Sequence, residues 1–357
     1  NERLWLPGKG HWAEYQDFMG HKRVHESAAV WTIYHAIDSE TANPFQAYQA
    51  TRYIDTAIPH IPVTAHGLKE NGYATIATTN WLPYSWSVNN IAFAEVMHTA
   101  LSYFQAGRAE AGYKLLKSSV LDGMYLGDSP GNFGQISFYD AARGECYRDF
   151  GDPIGVASRV LIQGLFGILP DALNQQIILR PGFPDDWDKA SVSTPDISYR
   201  FTRKEDTDTY HITQRFQTPL HPVLHVNARK EKIRSVKVNG VPATWQSIES
   251  AHGYPLLSIQ AEGTSSTTIT IEWEGASLHT LAVQELVIAS NGKLALQIPS
   301  GASISQVYDP QSVLAKHTVE ATAFNAQLKG EPGHHTFFVY THQGEMDWWQ
   351  PVNIYIE

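Results

Sequence analysis

Apolar positions in the first half of the chain recur at helical spacing. Val24, Ala28, Trp31 and His35 fall on one face, with Ser27 and Thr32 off it, which is the phase of an amphipathic helix. Residues 88–106 continue in that style and run into Gly107, a C-terminal stop. Residues 108–121 supply a second helix, so the two form a helical hairpin with almost no loop. Asp152–Pro153 sets a capping carboxylate before a proline suited to the first helical turn, opening a helix from about Ile154 to Gly167. Between the helices lie 58–87 and 122–152, rich in Gly, Pro, Asn and Ser. Loops of that length are commonly functional or disordered, and the aromatics in these argue for order.

Beyond Pro181 the period falls to two. Ser198–Thr202, Tyr210–Phe216, Val223–Val226, Ile233–Val238 and Thr267–Trp273 are short alternating runs. Asn239–Gly240 sits between two of them as a hairpin signal. These runs predict an antiparallel β-sandwich. Leu286–Ile288, Leu294–Ile298 and Val352–Ile356 repeat the style more weakly, as a second sandwich or as a strand-rich wrap returning onto the first domain. The pattern therefore predicts an α + β multidomain chain. Its parts are a helical portion over 1–180, a β-sandwich over 181–275 and a further β-rich C-terminal domain over 276–357.

The length of 357 residues accommodates such a division, at roughly 100–200 residues per domain. Lys plus Arg number 26 against 36 Asp plus Glu, a formal charge of −10. That balance excludes the basic patches that nucleic acid and anionic membrane surfaces require. Val160–Ile162 and Leu165–Leu169 are separated by Gln163 and Gly164 and are too short to cross a bilayer. Cys146 is the single cysteine, so there is no intrachain disulfide and no cysteine-rich metal site. The opening Asn-Glu-Arg-Leu-Trp-Leu-Pro has neither an initiator Met nor a basic stretch leading into an apolar one, and it reads as an internal starting point.

The aromatic content changes the picture more. There are 10 Trp, 17 Tyr and 14 Phe, and Trp12, Trp81, Trp86 and Trp348–Trp349 lie beside polar or Gly-rich segments. Any one Trp is an ordinary core residue. As a group they suit sugar rings, whose apolar C–H faces stack on aromatics while the hydroxyl rim takes hydrogen bonds.

Helical hairpins followed by Phe166–Gly167–Ile168–Leu169–Pro170–Asp171 and then Leu179–Arg180–Pro181–Gly182–Phe183–Pro184–Asp185–Asp186–Trp187 resemble the exit of an (α/α)6-toroid glycoside hydrolase into its C-terminal sandwich. Rhamnosidases and family-63 glucosidases carry a comparable passage. Trp5–Gly10, Trp12–Asp17 and the Trp348–Trp349 tail resemble more closely the large proteins of gut polysaccharide-degrading bacteria grouped as domain of unknown function 4450. The resemblance covers residues 1–190 well, the sandwich moderately and the tail loosely. A full toroid has twelve helices and about six are counted here. The resemblance therefore implies an incomplete toroid portion, completed by an upstream half of the same protein or by an oligomer partner. It also implies a periplasmic or secreted location and no organic cofactor.

Glycoside hydrolysis needs two carboxyl groups flanking the scissile bond. Glu14, beside Trp12 and Tyr15, is the first candidate, because neighbouring aromatics desolvate a carboxyl and raise its pKa as a general acid requires. The competing reading is an acid that favours a helix dipole, with Asp17 then standing in. The second candidate lies in Gly144–Pro153. The family-63 pattern E-x-Y-x-P-x-T-G matches at Glu145 and Tyr147, while Asp149, Gly151 and Asp152 replace its proline, threonine and glycine. Glu145 is preferred to Asp149 as base. Arg148 either holds a catalytic carboxylate ionised or binds an acidic sugar, against the plainer reading of a surface Arg–Asp pair with Asp152 as a cap.

Thr79–Asn90 resembles the toroid segment W-x-G-x-x-W-x-x-x-N that lines the sugar pocket. It supplies Trp81, Trp86 and Asn89 for binding, with Trp12, Tyr15 and His25 from the N-terminal segment. His21, His25 and His35 lack the i, i+4 pairing of helical zinc sites, so no metal is assigned. Two functions follow: a glycoside hydrolase acting on a plant or host glycan, or a non-catalytic carbohydrate-binding or structural piece. They separate on whether the two carboxyls face one aromatic pocket about 5–10 Å apart.

Overall fold

The computed structural model describes residues 3–82, 87–126, 135–137 (backbone only), 151–279 and 285–357. The chain is β-rich and divides into two compact units, 1–165 and 166–357.

Among the described residues the first unit holds five α-helices: α1 (Val30–Asp38), α2 (Pro44–Ala57), α3 (Phe93–Gln105), α4 (Ala109–Val120) and α5 (Gly151–Arg159). Both α4 and α5 run on into a single wider turn, Leu121–Leu126 and Val160–Leu165. Helix α3 lies at the centre and packs against α1, α4 and α5. The α3–α4 hairpin turns at Gly107 (φ 72°), which supplies the left-handed residue that ends the first helix.

Helix α2 starts at Asn43–Pro44 with a reciprocal capping box: Gln46 N–H donates to the Asn43 side chain, and Asn43 N–H donates to that of Gln46. Its Asp55 accepts from Arg108 Nη2 at 2.6 Å and from Arg52 Nη1 at 3.0 Å. Burial alone would raise the Asp55 pKa, but Arg108 and the Tyr103 hydroxyl outweigh it and hold it low. This network ties α2 to the α3–α4 hairpin and is structural.

The helix expected from Val24 starts only at Val30. Val24–His25 instead pairs with Tyr15–Gln16 as a small hairpin, because the apolar spacing there belongs to one exposed strand edge. The helix expected from residue 88 starts at Phe93, after the strand Asn90–Ala92. Among the described residues, α3 and four further helices, with small two-stranded sheets between them, form no closed toroid. No helix among the described residues is long and apolar enough to cross a membrane.

The second unit contains two sandwiches. In the first, a six-stranded sheet runs in the order Lys189–Ser193, Ile197–Lys204, Thr207–Gln214, Ser266–Ser277, Lys230–Val238, Val241–Pro242. The facing five-stranded sheet runs Gln246–Ser247, Leu256–Gln260, His221–Asn227, Gln176–Leu179, Ile168–Asp171. Strict alternation builds the core: Ile197, Tyr199 and Phe201 are buried while Arg200 and Thr202 face out. Asn239 (φ 51°) and Gly240 (φ 79°) form the expected hairpin turn, with the paired positive φ of a type I′ turn. In this first sandwich the expected all-antiparallel pairing is broken once among the described residues. Gln176–Leu179 runs parallel to His221–Asn227 because the chain crosses to the other sheet between them.

Ile168–Asp171 already belongs to this sandwich, so the passage from Gly167 to Trp187 lies within it. Gly167 (φ 65°) donates no side chain to the crossing, and a Cβ there would stand 1.9 Å from Arg180 O. Arg180 N–H donates to Gly167 O at 2.9 Å. Gly167→Ala should cost several kcal/mol, since a left-handed non-glycine residue costs about 1–2 and a forced backbone shift about 1–3 more. A melting temperature unchanged by that substitution would contradict the close approach.

The C-terminal sandwich has a four-stranded sheet ordered Leu286–Ile288, Met346–Ile356, Gly333–Gln343, Ser303–Tyr308. Its three-stranded partner is ordered Lys293–Gln297, Ala323–Leu328, Leu314–Glu320. Phe324, Leu328, Phe337, Val339 and Ile354 fill the space between.

Candidate functional site

Glu14 follows the buried strand His11–Trp12, and its N–H donates to His25 O. Its carboxylate accepts from Ala29 N at 2.9 Å, from Trp31 Nε1 at 2.8 Å and from Thr32 Oγ1 at 2.5 Å. Helix α1 begins after Ala29, which has no side chain able to cap. Glu14 thus supplies, from another segment, an acceptor for the N–H of the residue that opens α1 and for two side chains of its first turn. Glu14→Ala should accordingly cost about 0.5–2 kcal/mol of stability. Chemical denaturation checks it, and a loss near zero would mean α1 holds its N-terminus without help.

The other sequence candidates divide. Trp12 is buried, edge-on to Trp5 with ring centroids 4.6 Å apart, and offers no ring face to solvent. Neighbouring His11 is also buried, stacked on Tyr53, and burial lowers its pKa. Tyr15 is exposed and stacks on His25 at 4.1 Å, and His25 Nε2 lies 2.9 Å from Asp17 Oδ1. All three belong to the small hairpin at 15–25.

Trp81 donates through Nε1 to Ser27 O at 3.1 Å and meets Trp31 edge-on at 6.0 Å. Ser27 Oγ donates to Asn80 Oδ1 at 2.7 Å. Trp81 and Glu14 are therefore brought together through Trp31. Asn89 is a turn residue (φ 55°) whose N–H donates to Thr79 Oγ1. Trp86, Glu145, Arg148 and Asp149 lie outside the described residues.

A second constellation forms where α1, α3 and α5 meet, and the sequence pattern did not single it out. Glu95 sits in the first turn of α3. Burial raises its pKa, and the charge of Asp152 on α5 raises it further against the pull of its own backbone N–H. Among the described residues it has no cationic partner. Beside it, the Tyr34 ring of α1 lies 4.6 Å from the His98 ring, and His35 is 6.4 Å from His98. Burial, with the Glu95 charge, pushes the Tyr34 phenol far up. Burial also lowers His98, helped by Arg159, which favours a neutral imidazole.

Arg159 closes one side with a two-pronged contact to Asp38, at 2.9 and 2.6 Å. Burial would raise Asp38, but hydrogen bonds from Arg159 and Gln105 outweigh it and hold it low. The result is an environment that separates its carboxyls. Against burial, Arg159 holds the Asp38 pKa low, while burial and Asp152 raise that of Glu95. Pairs driven apart in this way are how one site carries both an acid and a base. Glu95 and His98, three apart on one helix face, were the visible signal. They lay inside an apolar run that reads as core.

No family model matches the chain, and no curated protein matches it. Among solved structures, an α-L-rhamnosidase from Dictyoglumus thermophilum is similar over 76% of this chain at 13% identity, with a TM-score of 0.41. This chain spans 27% of the length of that enzyme. The N-terminal eight Ig domains of the Down syndrome cell adhesion molecule align with 46% of this chain, and this chain covers 32% of them, at 10% identity and TM-score 0.16. The N-terminal periplasmic domain of ScsB from Proteus mirabilis aligns with 47% of this chain and is itself 98% covered, at 8% identity and TM-score 0.13. These likenesses are too slight to define the fold or the chemistry.

Proposed function

We propose that this chain is part of a glycoside hydrolase acting on a plant or host glycan, its helical unit a portion of an (α/α)6 toroid. Glu95 is the proton donor to the leaving oxygen, and Asp152 is the carboxylate that activates water or attacks the anomeric carbon. The observation that carries this reading is Glu95 itself, a largely buried carboxyl without a cationic partner among the described residues, with Asp152 close enough to raise its pKa. A general acid needs a raised pKa, and burial with a like charge moves Glu95 in that direction. Tyr34 and His98 border the acid and suit the hydroxyls of a bound sugar. Trp81 and, separately, the Tyr15–His25 stack are binding positions for more distant sugar units.

Glu145 and Asp149 stay as alternatives for the base, and Arg148 as a binding residue. Completion of the toroid by further chain or by a second copy, and a periplasmic or secreted location, belong to the same proposal. The rival reading, a module that binds glycan without cleaving it, is favoured by Glu14 acting as a helix cap.

The test is to incubate the chain with a panel of plant oligosaccharides and identify released sugars, with Glu95→Gln alongside. Release by the wild type and not by Glu95→Gln is expected. Equal release by both overturns the assignment of Glu95, and binding without release by either leaves the module.

A further inference from the structure

One face of the C-terminal sandwich departs from the usual apolar-in, polar-out alternation. A solvated sheet face normally carries polar side chains opposite the apolar inner set. In the four-stranded sheet, Phe337, Val339 and Ile354 point into the core, but the opposite face is aromatic. Tyr340 and Trp349 are register partners across the two central strands, and Tyr308 pairs with Phe338. Ring centroids lie 5.0 Å apart for Tyr340–Trp349 and 6.2 Å for Tyr308–Trp349, at 54° and 68°. Phe338 is fully buried and stacks on Tyr308 as its support. Tyr308 is 39% exposed, and Tyr340 and Trp349 are half-buried. Three rings set at steep angles form a cradle rather than a flat plate.

Polar groups frame the rings. His342 Nδ1 lies 2.5 Å from Asp347 Oδ1, and its Nε2 lies 2.8 Å from Ser305 Oγ, so the imidazole is fixed from both sides. Gln306 is exposed and opposite Tyr340. Glu249, in the loop of the preceding sandwich, is also exposed. Partial burial, then the charges of Asp347 and Glu249, raise the Tyr340 phenol, which places both carboxylates near that ring. The same loop braces the Trp349 strand: Trp349 N–H donates to Ala251 O at 2.8 Å, and Gly253 N–H donates to Trp349 O at 2.9 Å. The tandem tryptophans divide by strand alternation. Trp348 is 1% exposed in the interior, donating to Gln350 Oε1, while Trp349 joins the outer face.

We propose that this face is a carbohydrate-binding site of its own, distinct from the carboxyl pair, which takes pyranose rings of a neutral glycan chain. The apolar C–H faces of the sugars lie on Trp349, Tyr340 and Tyr308. Their hydroxyls donate to Asp347 and Glu249 and exchange hydrogen bonds with Gln306 and His342. Charge selects this occupant over others. Two carboxylates beside the rings repel phosphates and acidic sugars, whereas neutral hydroxyls are good donors to them.

Affinity electrophoresis of the full chain through gels containing xyloglucan, galactomannan or mixed-linkage β-glucan tests the proposal. At least one glycan should retard the wild type. Trp349→Ala should weaken that binding by about tenfold or more, as expected for losing one stacking ring. Tyr308→Ala, at the more exposed position, should weaken it in the same direction with an unchanged melting temperature. Trp349→Phe should keep most of the retardation, and Glu95→Gln should be retarded as the wild type is, which separates this site from the hydrolytic reading. The proposal is overturned if no gel retards the wild type, or if folded Trp349→Ala and Tyr308→Ala both migrate with it.

Discussion

Glu95→Gln is expected to lower turnover of the glycan substrate by about 10²–10⁴-fold, the usual contribution of a positioned acid–base group. The substitution keeps the side-chain volume and removes only the titratable proton, so packing around α3 is unaffected. Stability should move the other way. Burial and Asp152 raise the Glu95 pKa above its ordinary 4.5, so between 4.5 and the raised value the native state binds more protons than the unfolded chain. Stability then falls as pH rises through that window. Glu95→Gln removes the effect, so the variant should equal the wild type in acid and match or exceed it at neutral pH. Asp152→Asn supplies a second readout. Removing the like charge lowers the Glu95 pKa, so the window in which stability falls with rising pH should narrow from its alkaline side. A window unchanged in Asp152→Asn would show that the two carboxyls do not interact.

How far the chain could be read ahead of its structure depended on the range of the forces involved. The Asn239–Gly240 hairpin, the stop at Gly107 and the alternation through Ile197–Phe201 are local and were legible. Helix starts were less so. Val24 and Ala28 have helical spacing with Trp31, yet Val24 is drawn into a strand pair with Gln16, a contact eight residues back that no spacing rule contains. Glu14 was legible as an unusual carboxylate but not in its task, because the helix end it caps starts fifteen residues later at an alanine. Glu95 was hidden for a different reason. Its burial and its neighbours Tyr34 and Asp152 come from two other helices, so a run that looks like ordinary core carries a carboxyl whose pKa is raised. Asp152 was visible only as a helix-starting acid, since its second role exists once α5 packs on α3. In the sandwich the alternation predicts a strand from Tyr210, whereas the strand spans Thr207–Gln214 and includes an inward position held by an acid.

That acid, Asp208, carries the largest expected effect on stability. It is 1% exposed, in phase with buried Tyr210 and Ile212, where alternation calls for an apolar side chain. Its carboxylate accepts from Arg203 Nε at 3.1 Å, Arg229 Nε at 2.9 Å and Trp273 Nε1 at 3.0 Å. The two arginines are fixed in turn, Arg203 donating to Asp185 O at 2.8 Å and Arg229 to Glu205 O at 3.0 Å. Asp208→Ala leaves a fully buried indole N–H without an acceptor and two half-buried guanidinium groups without a counter-charge. Removing one partner from such a network costs about 3–5 kcal/mol, a large share of the about 5–15 kcal/mol that holds a domain folded. The midpoint of urea unfolding should drop accordingly while the slope stays the same. Asp208→Asn keeps one acceptor oxygen for Trp273 and should lose less. Asp208→Ala combined with Arg203→Met should lose less than the two single losses added together, because one orphaned charge goes with its partner. If Asp208→Ala cost under about 1 kcal/mol, the cluster would behave as an exposed ion pair does, and the alternation around Tyr210 and Trp273 would be holding the sheet without it.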